Sequence, residues 1–382
     1  MKTKIFLLFS VFMTPMLLCA QDDYWFKKGM NEKNPVKQVE YFTKSIETEK
    51  AATETYLHRG NAYKDLAIDR VYSHHSMLIV FSGNETNNAR LMYDKAINDY
   101  SKAINLDPGC SDAYINLSEV HWQIGQSEKA LADLTNLINI DSLNAKAYQK
   151  RSFIYENNYQ DHSKAISGFT RAVEIDPDFT DAYYSRAVIY YRVKQYNDAL
   201  ADLNKIIDID SSYIWAYSKR GDVFRALGQF DRAVADYDKT IKLDSKNYIA
   251  YNSRGCLYLV QNNYEKALHD FNKSLSINSK NFQPYCNIGY IFIQQNNTDK
   301  AIQYLQKSLN LAENFPDANI DMAIACYMTG KSQEAKTYLY KARAADPKIF
   351  DGFDGISKIE SGGHNWNDHD LETLRKMIEE LR

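Results

Sequence analysis

The sequence predicts an all-α fold, a solenoid of helical hairpins. Three observations carry that prediction. One pattern returns every thirty-four residues: Tyr217, Gly221, Phe224, Ala233 and Tyr237 reappear as Tyr251, Gly255, Tyr258, Ala267 and Phe271, then as Tyr285, Gly289, Phe292, Ala301 and Leu305. Within each copy the first three residues share one face of a first helix, and the last two share one face of a second. Gly and Pro are scarce, 15 and 7 in 382 residues, which suits helices joined by short turns.

Residues 1–20 differ in kind. Lys2 and Lys4 precede the apolar run "IFLLFSVFMTPMLLCA", and "QDD" follows. This reads as a signal peptide cut after Ala20, so the expected location is periplasmic or secreted. Lipid attachment at Cys19 is the lesser alternative, because Leu18 is large for the position before a lipidated cysteine. No other stretch has the length of a membrane span. Cleavage leaves Cys110, Cys256, Cys286 and Cys326, widely spaced in helical patterns and expected to be thiols.

Residues 21–52 form a divergent N-terminal hairpin. Eight copies of the repeat follow over 53–347, opening at Tyr56, Tyr114, Tyr148, Tyr183, Tyr217, Tyr251, Tyr285 and Asn319. The first copy carries an insertion at about 66–90, expected to lengthen both of its helices by about 18 Å each. It includes the apolar run Met77–Phe81, and His74–His75, a weak metal candidate because neighbouring helical residues point different ways. Residues 348–382 read as a linker and a capping helix with the stripe Leu371, Leu374, Ile378 and Leu381.

These copies resemble the tetratricopeptide repeat (TPR) family. Its pattern places a large aromatic at position 4, a small residue at 8, aromatics at 11 and 24, Ala at 20 and Pro at 32. Pro108, Pro177 and Pro347 fit position 32, and elsewhere Ser142, Ser211, Ser245 and Ser279 stand there. A helix-capping hydroxyl is expected of those serines. The resemblance implies a right-handed α-solenoid whose positions 2, 5, 6, 9, 12 and 13 line a concave groove. Arg recurs at position 7 and Asp at position 23, so Arg220–Asp236 and Arg254–Asp270 are expected as pairs inside their hairpins.

The charge of −3 gives no bulk attraction for nucleic acid. No nucleophile elbow, Cys–His spacing or metal-ligand spacing emerges, so neither an enzyme nor a cofactor is expected. The expected function is a non-catalytic protein-interaction scaffold of the cell envelope that binds a protein or peptide. The alternative is a structural or assembly subunit of a permanent envelope complex. The resemblance assigns the groove to Asn61, Asn116, Trp122, Lys146, Lys150, Tyr184, Tyr191, Arg192, Trp215, Lys219 and Arg225. Some family members grip a peptide's C-terminal carboxylate from three successive first helices. The corresponding positions here are Leu57, Asn61, Asn116, Lys146 and Lys150. Asn61, Asn116 and Lys146 match, Lys150 stands in place of Arg, and Leu57 fails to supply the expected Lys, so an acidic or C-terminal carboxylate ligand is the sharper expectation.

Overall fold

The computed structural model of the chain describes residues 24–48, 52–72, 84–346, 372 and 374–376. The expectations for residues 1–20, for His74–His75 and Met77–Phe81, and for most of 348–382 lie outside the described residues. Among the described residues there is no strand.

Helices follow one another in hairpins, and the chain divides into two compact units, 1–189 and 190–382. The first begins with α1 (24–31) and α2 (Pro35–Thr48). Then come α3 (Thr53–Tyr72) with α4 (Asn84–Leu106), α5 (Ser111–Gln123) with α6 (Ser127–Ile140), and α7 (Ala145–Tyr159) with α8 (His162–Ile175). Helix α9 (Thr180–Arg192) crosses the division. The second unit holds α10 (Tyr196–Ile209), α11 (Ile214–Ala226), α12 (Phe230–Leu243), α13 (Tyr248–Val260), α14 (Tyr264–Ile277), α15 (Phe282–Gln294), α16 (Thr298–Leu311), α17 (Pro316–Met328) and α18 (Ser332–Ala345). Both helices of the hairpin that carries the insertion are long: α3 has 20 residues and α4 has 23, against 13 in α5 and 14 in α6, which is about 10 and 13 Å of extra described helix and short of the expected 18 Å each.

The packing follows from the small residues. A Cβ built on Gly221 would stand 2.8 Å from the ring of Tyr237, and one on Gly255 would stand 2.7 Å from Phe271. Position 8 is small because the ring at position 24 lies against its backbone. Those rings and the alanines at position 20 are fully buried. Leu374, beyond the last repeat, is buried in the core cluster that α13 to α18 build.

Two kinds of turn alternate. Inside the hairpins from α5 to α18 the chain passes through the left-handed region at Gly125, Gln160, Lys194, Gly228, Asn262, Asn296 and Gly330. The next amide then bonds back to the first helix, as Gln229 N does to Phe224 O at 2.8 Å, which closes the helix end. Between hairpins, Asp141, Asp176, Asp210 and Asp244 each accept from the amide two residues on. The serines at position 32 do not cap the following helix. Asn144, Asn247 and Asn281 do, because the helix starts later and their carboxamide oxygens reach its free amides.

Candidate functional site

The recurrent arginines are structural. Arg220 donates from Nε and Nη2 to both oxygens of Asp236 at 2.8 Å, and Arg254 does the same to Asp270 at 2.7 Å. Arg59 holds Asp99 in the same way. Each arginine also reaches back sixteen residues, to the second helix of the preceding hairpin. Arg59 meets Thr43, Arg151 meets Thr135, Arg186 meets Thr170, Arg220 meets Asn204, and Arg254 meets Asp238. One guanidinium therefore fastens its own hairpin and joins it to its neighbour. Where Leu117 stands at position 7, His121 takes the place and lies 2.6 Å from Asp133.

With the arginines committed, the open chemistry of the first unit lies on α5, α7 and α9. These three helices line a cleft of about 260 Å³. Trp122, Phe153 and Tyr184 supply its aromatic lining, from positions 12, 9 and 5 of successive repeats. Trp122 and Phe153 meet edge to face, with centroids 5.4 Å apart. The indole N–H donates to Asn158 Oδ1 at 2.7 Å, and Asn158 donates in turn to Ser127, so the indole is held from behind. Phe153 remains 42% exposed, which is unusual for a large apolar ring held in place by a neighbour.

One rim of the cleft is ionic. Lys64 donates to Asn116 Oδ1 at 2.9 Å and to Glu119 at 3.1 Å, and Lys150 stands 3.9 Å from the other oxygen of Glu119. A carboxylate of the chain itself thus sits among the groups expected to surround a ligand carboxylate. Asn61 accepts from the Tyr100 hydroxyl, Leu57 belongs to the core, and Lys146 is exposed one turn from Lys150. Phe153, Glu119 and Lys64 were absent from the sequence-derived set, although they occupy positions 9, 9 and 12.

In the second unit, Lys219 donates to Asp222 at 2.8 Å and lies 5.1 Å from the Tyr191 ring centroid. The other oxygen of Asp222 accepts from Tyr237 at 2.8 Å. Burial works against the charge on Arg225, but Tyr237, Asp222 and Tyr191 more than offset it. Tyr191, Lys219 and Arg225 are therefore bound into an internal network, while Arg192 and Trp215 are exposed. The described cysteines are free thiols. Burial pushes Cys256 up to about 11 and Cys286 well above the ordinary range, which leaves both as inert thiols near neutral pH. Among the described residues, no group of three or more potential ligands is placed to hold a metal ion. Nor is any helix long and apolar enough to cross a membrane.

Family comparison decides the class of the repeat. Tetratricopeptide repeat models match residues 111–142, 169–201, 248–281 and 292–350, and a TPR repeat model matches 221–261. The chain is a TPR protein. TPR proteins are protein-interaction scaffolds. Human tetratricopeptide repeat protein 6 is 24% identical over 177 residues, 42% of this chain and 33% of its own length. The small glutamine-rich tetratricopeptide repeat-containing protein 2 of Mycosarcoma maydis is 32% identical over 97 residues, 25% of this chain and 26% of its own. The TPR chain thus spans a third or less of the curated relatives it matches. A tetratricopeptide repeat protein from Parabacteroides merdae of known structure is 16% identical, with a TM-score of 0.49 over 74% of this chain and 98% of its own.

Proposed function

We propose that this TPR protein is a non-catalytic adaptor of the cell envelope, holding a peptide segment of a protein partner on the first helices α5, α7 and α9. The cleft at Trp122, Phe153 and Tyr184 carries this reading. It is concave and aromatic, and it lies on helices that solenoid stacking leaves open on one face. The envelope location is supported by the N-terminal sequence, with its lysines, apolar run and small residue at position 20.

The segment is acidic or ends in a carboxylate near the cleft. Lys64, Lys146 and Lys150 outnumber the two carboxylates Glu119 and Asp181, so the rim keeps positive charge after the internal pairing. Peptide affinity measured with Lys146→Ala and Lys150→Ala together, at low and high salt, tests this. A loss of about tenfold or more in the double variant, and a weaker salt dependence, are expected. Unchanged affinity and unchanged salt dependence would remove the acidic specificity.

A further inference from the structure

We propose that the cleft between Trp122, Phe153 and Tyr184 is the anchor pocket of the groove, and that it takes one uncharged aromatic side chain from the bound peptide. The inference rests on the peptide-binding reading and adds the chemistry of the residue that is read.

Size comes first. A cleft of about 260 Å³ lies below the ~300–1,000 Å³ of small-molecule sites and gives room for a single large side chain. Next comes the lining. Three rings from three helices present faces and edges, and rings pair well edge to face or offset. The Trp122 N–H is already donated to Asn158, so the indole offers a guest its carbon surface and no unmet donor. Gln149 and Ser185 lie at the same cleft and can meet the peptide amides that flank the anchor.

A cationic side chain is the rival guest for an aromatic pocket. The charge on the rim argues against it. Glu119 already faces two lysines, and Asp181, the other carboxylate at the cleft, has partners of its own, so neither is left to balance a guest cation, and Lys150 would repel one. A neutral ring meets neither cost. The pocket is also preorganised: Asn158 fixes the indole and the edge-to-face contact with the indole fixes Phe153, so little side-chain freedom is lost on binding.

The test uses the full chain, with short random peptides displayed on phage as the probe. Retained peptides are expected to share Trp, Phe or Tyr at one position. Replacing that residue by Ala should weaken binding at least about tenfold. Phe153→Ala should do the same. Ser185→Trp, which plugs the cleft from α9 without removing a core contact, should abolish binding while the thermal unfolding midpoint stays near that of the parent. Retained peptides without an aromatic residue, or with Lys or Arg in its place, would overturn the anchor and leave the groove reading standing. Aromatic peptides that bind Ser185→Trp as well as the parent would overturn it too. Retention of no peptide at all would overturn both readings.

Discussion

The Arg254 guanidinium lies flat against Asp270, donating to both carboxylate oxygens at 2.7 Å, while its third nitrogen reaches Asp238 on the preceding hairpin. The two acceptors differ in surroundings. Asp270 is 1% exposed and Asp238 is 52% exposed. Asp270→Ala should therefore leave a half-buried guanidinium without its main partner and cost about 3–5 kcal/mol. Asp238→Ala should cost under about 1 kcal/mol. Urea unfolding of the two variants compares them directly, and equal losses would show that burial does not set the strength of this joint.

Gly221 and Gly228 separate two reasons for glycine. Gly221→Ala puts a methyl group 2.8 Å from Tyr237 inside the hairpin and should cost about 1–3 kcal/mol. Gly228 has open space around it but a φ of +70°, so Gly228→Ala should cost only about 1 kcal/mol, through backbone strain. The converse holds at Lys194, at φ +63° in the equivalent turn, where Lys194→Gly should be neutral or stabilising. Thermal unfolding of the three variants checks the order.

Asn319 stands where the other repeats carry tyrosine. Its Nδ2 donates to Glu313 O, six residues back, just as the Tyr217 hydroxyl donates to Ser211 O. Its Oδ1 is buried and has no hydrogen-bond partner. Beside it lies a cleft of about 300 Å³ lined by Tyr338 and Lys341, with Lys341 at the position from which Lys239 covers Tyr217. A missing ring explains the space. Asn319→Tyr should fill it and add about 1 kcal/mol, seen as a higher melting temperature. A lower one would show that the surrounding helices have closed in on the smaller residue.

The N-terminal hairpin should respond to pH. His58 lies 5.8 Å from the Phe42 ring and 5.9 Å from Phe26, and burial lowers its pKa against the opposing pull of Glu54 and Asp112. The unfolded imidazole, near 6.5, then binds a proton more readily than the folded one. The contribution to stability is full above that value and is lost as the pH falls through it towards the lower folded pKa. Amide exchange in α1 and α2, corrected for intrinsic rates, should be faster at about pH 5.5 than at about pH 7.5. In His58→Phe the difference should shrink.

Much of this was legible in the sequence, because each hairpin is local. Sixteen residues from position 7 to position 23 is a distance inside one hairpin, so Arg220–Asp236 could be read directly. The equal distance back to Asn204 crosses to the neighbouring hairpin, and its register depends on packing between hairpins, which helical spacing within one does not give. Groove residues were legible as positions but not as partners. Seeking cations and amides found Lys150 and Asn116 but passed over Glu119, the carboxylate between the lysines. Phe153 was missed because a large apolar residue reads as core until its exposure is seen.

In the proposed function α5, α7 and α9 receive a peptide. Hydrogen exchange of the full chain, with and without a peptide retained in the selection, measures this most directly. Added protection is expected in 111–123, 145–159 and 180–189, with α6 and α8 unchanged. Protection confined to the second helices, or to the unit beyond residue 190, would contradict it.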